Sequence, residues 1–124
     1  MGEALIGFVG LGFGLVVVSL LVPWTAYAGA RGRLGRNGMV GARTAATMAS
    51  DAAWRAGHHA MIPFAQATAV LGGAGVVLMG LFALLWGGEA GIIAGMGAML
   101  AQVGLVLGSI RPVNRAARRA ETRA

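Results

Sequence analysis

The chain has 124 residues and no cysteine, which leaves room for one domain and excludes disulfide bonds, thiolate chemistry and cysteine-based zinc sites. Hydrophobic residues make up 57% of it, charged residues only 11%, and the mean hydropathy is +0.75. Because a soluble domain keeps about a quarter of its residues charged, this composition predicts an integral membrane protein. The net charge of +6 comes from arginines in two blocks beside apolar segments, so we expect anionic lipid headgroups as partners and no nucleic acid.

The first predicted element is an apolar helix over residues 4–28. About 20 apolar residues cross a bilayer core, so this segment is long enough to span a membrane. Gly10 and Gly14 form a G-x-x-x-G step, which predicts close packing against a neighbouring helix.

Residues 29–60 form a basic connection that is rich in polar side chains. It begins with a glycine-rich stretch, which indicates a flexible loop at the membrane surface. Ser50 is a suitable N-cap and Asp51 follows it in the first turn, so the pattern predicts a short interfacial helix over Ser50–His59. We expect Trp54 to dip toward the acyl chains and His58 to be partly solvated.

Two further spans are predicted at residues 61–86 and 90–110, joined by a tight glycine turn. The last span carries G-x-x-x-G steps that predict helix packing at Gly91, Gly95, Gly104 and Gly108. Gln102 lies in the middle of this span. It is expected to hydrogen-bond to a neighbouring helix, and the alternative is that it lines a ligand path, as in a channel or flippase built from several copies.

The tail, residues 111–124, is basic and is either an amphipathic helix on the lipid surface or disordered. Three spans place the two arginine blocks on the same side of the membrane, and cytoplasmic loops carry the excess of basic residues. The sequence therefore predicts an all-α, three-span membrane domain with the N-terminus outside and both basic segments in the cytoplasm.

The distribution of titratable residues argues against catalysis. The chain contains four acidic residues, Glu3, Asp51, Glu89 and Glu121. The topology puts two of them on each side of the membrane, so no buried pair of carboxylates for acid–base chemistry can be built within one chain. His58 and His59 are adjacent in a predicted helix, so their side chains diverge by roughly 100° and cannot chelate one ion together. We expect a protein that binds rather than an enzyme, with no cofactor and no metal.

The candidate binding site is the polar part of the basic connection. Arg43 offers a guanidinium fork, and Thr44 and Thr47 offer two hydroxyls beside it. Such a group can bind a lipid phosphate or the carboxylate of a peptide. The alternative is a structural role, in which Arg43 caps helix ends and pairs with Asp51.

At these residues the sequence resembles the SdpI family of small bacterial membrane proteins. The resemblance rests on a pattern of eight positions: Asn37, Gly41, Arg43, Thr44, Thr47, Ser50, Trp54 and His58. It implies a multi-pass protein of the bacterial inner membrane that protects the cell from a membrane-active toxin peptide, with these eight residues as the binding loop. The alternative function is a small accessory subunit of a larger membrane complex, such as a lipid or solute transporter.

Overall fold

The structure, a computed structural model, describes residues 2–123, and all of its regular elements are helical. It contains four α-helices and one turn of 3₁₀ helix: α1 Gly2–Ala30, the 3₁₀ turn Thr47–Ala49, α2 Asp51–Trp86, α3 Gly88–Gly108 and α4 Ile110–Arg123. Three helical stretches are long and apolar enough to cross a membrane, and α3 with α4 forms the third of them. The predicted all-α fold with three candidate spans is therefore confirmed.

The three long helices form a bundle in which α1 and α3 run in the same direction and α2 runs in the opposite one. Gly7 of α1 faces Ile92 of α3, and about two turns further along both helices Gly14 faces Met99. The glutamates at the starts of α1 and α3 consequently lie at one end of the bundle. All ten arginines lie at the other end, which we call the loop end.

The glycines predicted to pack helices together divide into two groups. A Cβ atom on Gly91 would lie 2.6 Å from the Met79 carbonyl oxygen, and one on Gly95 would lie 2.5 Å from the Met79 sulfur. A Cβ atom on Gly14 would lie 3.2 Å from the Met99 side chain. At the other three positions an added Cβ atom would meet nothing within 4 Å in the described part of the chain, namely at Gly10, Gly104 and Gly108. The expected close packing within one chain is therefore absent at these three, because they face away from the bundle.

A buried hydrogen-bonded group joins the three spans near their middle. The Gln102 side-chain amide on α3 donates to Ser19 Oγ of α1 and to the Thr68 carbonyl of α2, both at 2.9 Å. Gly72 faces this group, and a larger residue there would collide with it. The Gln102 Oε1 atom is buried and has no partner within residues 2–123. The predicted bond from Gln102 to a neighbouring helix is confirmed.

The separate interfacial helix is not observed, because α2 runs unbroken from Asp51 through Pro63 to Trp86. Its 36 residues span about 54 Å, whereas a bilayer core is about 30 Å thick. If the predicted span 61–86 crosses the bilayer, the turns before Met61 project beyond it as the start of the same helix. The helix continues past Pro63 because Met61 and Ala65, on either side of the proline, pack into one apolar cluster with Ala26.

The tail is helical and packs along the projecting turns of α2. Val113 and Ala117 of α4 are buried, and Gly57 of α2 provides the space for Val113. At the far end of α4, Ser50 Oγ donates a hydrogen bond to the carboxylate of Glu121. The tail is thus attached to α2 through its apolar face and is not a free segment.

Candidate functional site

Two buried rings occupy the centre of the loop end. Trp54 is 1% exposed, and its indole N–H donates to the Leu34 carbonyl oxygen at 2.7 Å. His58, one turn later on α2, is 0% exposed, and the two ring centroids are 4.2 Å apart. The expectation that Trp54 reaches the acyl chains and that His58 is solvated is therefore wrong. The loop folds over both rings and removes them from lipid and water.

The hydrogen bonds of His58 define its protonation state. Its Nε2 atom lies 3.0 Å from the backbone nitrogen of Ala42, and its Nδ1 atom lies 2.8 Å from the carbonyl oxygen of Trp54. An N–H group can only donate, so Nε2 must accept and the proton must be on Nδ1. His58 precedes the predicted span 61–86, and burial lowers its pKa below the usual value. The imidazole is thus neutral and joins the loop to α2.

Glycines make room for these contacts. Gly41 has a φ of +114°, and a Cβ atom there would lie 2.7 Å from the Trp54 ring. Gly29, at the end of α1, leaves the space that the His58 ring occupies. A Cβ atom on Gly57 would lie 2.7 Å from the methyl group of Thr47, so glycine leaves room for that group. Sequence reasoning missed Gly29 and Gly57, although a glycine inside a helix costs about 1 kcal/mol and was a signal of close packing at residue 57.

The two threonines of the candidate site are hydrogen-bonded within the protein. Thr47 is fully buried, and its hydroxyl donates to the Ala42 carbonyl oxygen at 2.6 Å and accepts from the Thr44 N–H at 2.9 Å. The Thr44 hydroxyl donates to the side-chain oxygen of Asn114 on α4 at 2.6 Å. These hydroxyls therefore fold the loop and attach it to α4, and they are already engaged.

Asn37 and Ser50 also have local structural roles. The Asn37 side chain accepts from the Val40 N–H at 2.7 Å and donates to the Val40 carbonyl oxygen at 2.9 Å, which closes a tight turn. The Ser50 hydroxyl accepts from the Ala53 N–H at 3.0 Å and caps α2 as predicted. Both side chains therefore stabilise the backbone near them.

Arg43 differs from the other predicted positions because it is exposed and uncommitted. Among residues 2–123 its guanidinium forms no hydrogen bond and no ion pair. The carboxylate proposed as its structural partner, Asp51, pairs instead with Arg36 at 2.9 Å. Arg36 also donates to the Met48 carbonyl oxygen at 3.0 Å, so it holds the loop while Arg43 stays free.

Arg43 lies at the edge of a groove of about 400 Å³ at the loop end. The loop residues 39–44 cover one side of the groove. Its walls come from the last turns of α1 and from the junction of α3 and α4, and they include Leu21, Val22, Thr25, Val106, Ser109 and Ile110. The arrangement combines an apolar cleft with one free cation, which suits an amphiphilic ligand.

A second basic surface lies on α4, on the other side of the Thr44–Asn114 hydrogen bond. Arg111, Asn114 and Arg115 line one shallow depression there together with the next turns of the helix. No group of three His, Asp or Glu side chains within residues 2–123 is arranged to hold a metal ion. The guanidinium groups of the loop end can bind anions.

Comparison with known protein families gives a match that begins in the loop. The model described as "SdpI/YfhL protein family" matches residues 33–110, which is more than half of the chain. The matched segment includes most of the loop, both later predicted spans and all eight predicted loop positions. No match was found among curated proteins or among solved structures.

Proposed function

Because the chain belongs to the SdpI/YfhL family, we propose that it is a non-enzymatic membrane protein that binds a membrane-active peptide at the groove beside Arg43. Binding there would hold the peptide away from the bilayer and so protect the cell, which is the immunity role implied by the resemblance. The three apolar helices and the family match support a multi-pass membrane protein.

The observation that carries the proposal is the free guanidinium at the edge of an apolar groove. A membrane-active peptide presents apolar side chains together with carboxylates at its C-terminus or on acidic residues. A guanidinium binds a carboxylate through two parallel N–H···O bonds, and the groove walls can bury the apolar side chains. Trp54 does not contact the peptide in this proposal, because its ring is buried beneath the loop.

The proposed orientation puts the loop end in the cytoplasm of a bacterial cell and the N-terminus outside. Its support is the concentration of all ten arginines at that end of the bundle. Basic residues close to the ends of membrane spans are enriched on the cytoplasmic side. A peptide would then be bound after it has entered the bilayer.

Sensitivity to peptide toxins in cells tests the proposal. Deletion of the gene is expected to sensitise cells to a membrane-active peptide, and Arg43→Ala is expected to lose protection while the amount of protein in the membrane is unchanged. Arg33→Ala is the matched control, since Arg33 is an exposed loop arginine that does not line the groove. Equal protection by the two variants would contradict the assignment of the groove.

A second function, that of a small accessory subunit, is supported by a different surface. Gly104 and Gly108 lie on one face of α3, where an added Cβ atom would meet nothing within 4 Å in the described part of the chain. Small residues spaced in this way allow another membrane helix to approach closely. Purification in a mild detergent tests this role: a stoichiometric larger membrane protein would support it, and a protein that purifies alone would count against it.

A further inference from the structure

In the proposed topology, the groove beside Arg43 lies at the depth at which a lipid headgroup meets its acyl chains. Its walls belong to the ends of the membrane spans on the loop side, and the loop residues 39–44 lie above them. Leu21 on one wall is 50% exposed and Ile110 on the other is 42% exposed. Both walls are therefore accessible from the side of the bundle, where the bilayer would be.

The walls behave as apolar surface although they contain two hydroxyl groups. The Thr25 hydroxyl donates to the Val22 carbonyl oxygen at 2.9 Å, and the Ser109 hydroxyl donates to the Val106 carbonyl oxygen at 2.6 Å. Each hydroxyl proton is thus bound within its own helix and is not offered to a ligand. An acyl chain lying between these walls would leave no donor unsatisfied.

Positive charge is concentrated above the groove. Arg43 lies on the covering loop, and Arg111 and Arg115 line the depression on the other side of the Thr44–Asn114 hydrogen bond. The carboxylates at the loop end are Asp51 and Glu121, and each is engaged by a partner, Arg36 and Ser50 respectively. Within residues 2–123, neither carboxylate forms an ion pair with Arg43, Arg111 or Arg115.

From this combination we propose that the groove holds an anionic phospholipid of the surrounding bilayer. The phosphate lies against Arg43, with Arg111 and Arg115 contributing to the local potential, and one acyl chain lies between α1 and the junction of α3 and α4. The volume of about 400 Å³ falls within the range of ligand sites, about 300–1,000 Å³. The proposal deepens the proposed function, because it names the molecule that a peptide would displace from the same groove.

Lipid retention by the full-length protein tests this site. The protein is reconstituted in vesicles that contain phosphatidylglycerol and phosphatidylcholine, extracted in a mild detergent, and analysed by mass spectrometry for bound lipid. We expect selective retention of phosphatidylglycerol, about a tenfold loss of it in Arg43→Ala, and wild-type retention in Arg33→Ala. Soluble glycerol phosphate, which has the headgroup charge but no acyl chain, is expected not to displace the lipid.

A second pair of variants tests the acyl-chain part of the groove. Leu21→Trp fills the groove from an exposed wall position, whereas Leu20→Trp adds the same ring to the neighbouring exposed position outside it. We expect lipid loss only in Leu21→Trp. Equal retention in the two tryptophan variants, equal retention in the two arginine variants, or equal retention of both phospholipids would overturn the proposal. A failure of the toxin assay alone would remove the proposed immunity function and leave the lipid result standing.

Discussion

His58 on α2 holds the loop through the backbone of Ala42, whose N–H donates to the imidazole Nε2 atom at 3.0 Å. Ala42 directly precedes Arg43, so this bond positions the one free guanidinium of the site. The same ring is in contact with Trp54 and is directly beside Gly29 at the end of α1. The free arginine at the surface therefore depends on a buried neutral histidine.

Acidification is expected to destabilise the loop end. Protonation would place a second N–H group opposite the Ala42 N–H, and burial already lowers the pKa of His58 in the folded protein. The unfolded chain then binds protons more readily than the folded one, so the stability from His58 is complete above about pH 6.5 and falls as the pH decreases below that value. Thermal unfolding in detergent between pH 8 and pH 5 measures this. His58→Gln should weaken the pH dependence, and the exposed His59 should tolerate the same change without effect.

Substitution of Gly41 by alanine is expected to loosen the loop. The new Cβ atom would lie 2.7 Å from the Trp54 ring, and the φ of +114° is unfavourable for any residue with a side chain. We expect a loss of about 1–3 kcal/mol in the free energy of unfolding. Gly38→Ala is the matched control, because nothing lies within 4 Å of a Cβ atom at that position. A similar unfolding temperature for the two variants would argue against the tight contact.

Trp54→Ala and Arg43→Ala are expected to act by different routes. Removal of the buried indole should cost about 3–5 kcal/mol and reduce the amount of folded protein. Removal of the exposed Arg43 side chain should leave stability within about 0.5 kcal/mol and affect binding only. Unfolding temperature and membrane abundance, measured beside toxin protection, separate the two effects. A stable Trp54→Ala variant that loses protection would restore a direct role for the indole.

Neighbouring glycines on α2 provide a test of the contact around Gln102. Gly72→Ala would collide with Ser19 and Gln102, and we expect a loss of about 1–3 kcal/mol in stability. A Cβ atom on Gly73 would meet nothing within 4 Å in the described part of the chain, so Gly73→Ala should be neutral or slightly stabilising. Unfolding of both variants in the same detergent gives the comparison. Equal stability would mean that the spans approach less closely at this depth.

The orientation is open to chemical labelling, because the chain has no cysteine of its own. Met39 on the loop is 89% exposed, so a Met39→Cys variant should react with an impermeant maleimide only after the cells are permeabilised. Glu89→Cys, at the opposite end of the bundle, should react in intact cells. Labelling of Met39→Cys from outside would reverse the proposed topology.

The spans could be predicted from the sequence because they depend on local properties. A long apolar run and the position of the arginines suffice to define three spans and the loop end. Gln102 could also be predicted to bond to another helix, since an amide in an apolar span has few other options. These features need no knowledge of which residues meet across the bundle.

The interior of the loop end could not be predicted in the same way. The burial of His58 requires Gly29 and Ala42, which come from another helix and from the loop. A separate interfacial helix before the second span was predicted, but packing of Met61 and Ala65 on both sides of Pro63 keeps α2 continuous. The tail was ambiguous because its helical form depends on two small apolar side chains packing against α2.

The hydrogen bond between Thr44 and Asn114 joins residues that are 70 positions apart, and the one between Ser50 and Glu121 joins residues 71 apart. At about 5–20 residues per second, the ribosome makes the second partner of each bond several seconds after the first. These two bonds can therefore form only after α3 and α4 have been synthesised. The contacts that attach the loop to α4 are thus formed late in the folding of the protein.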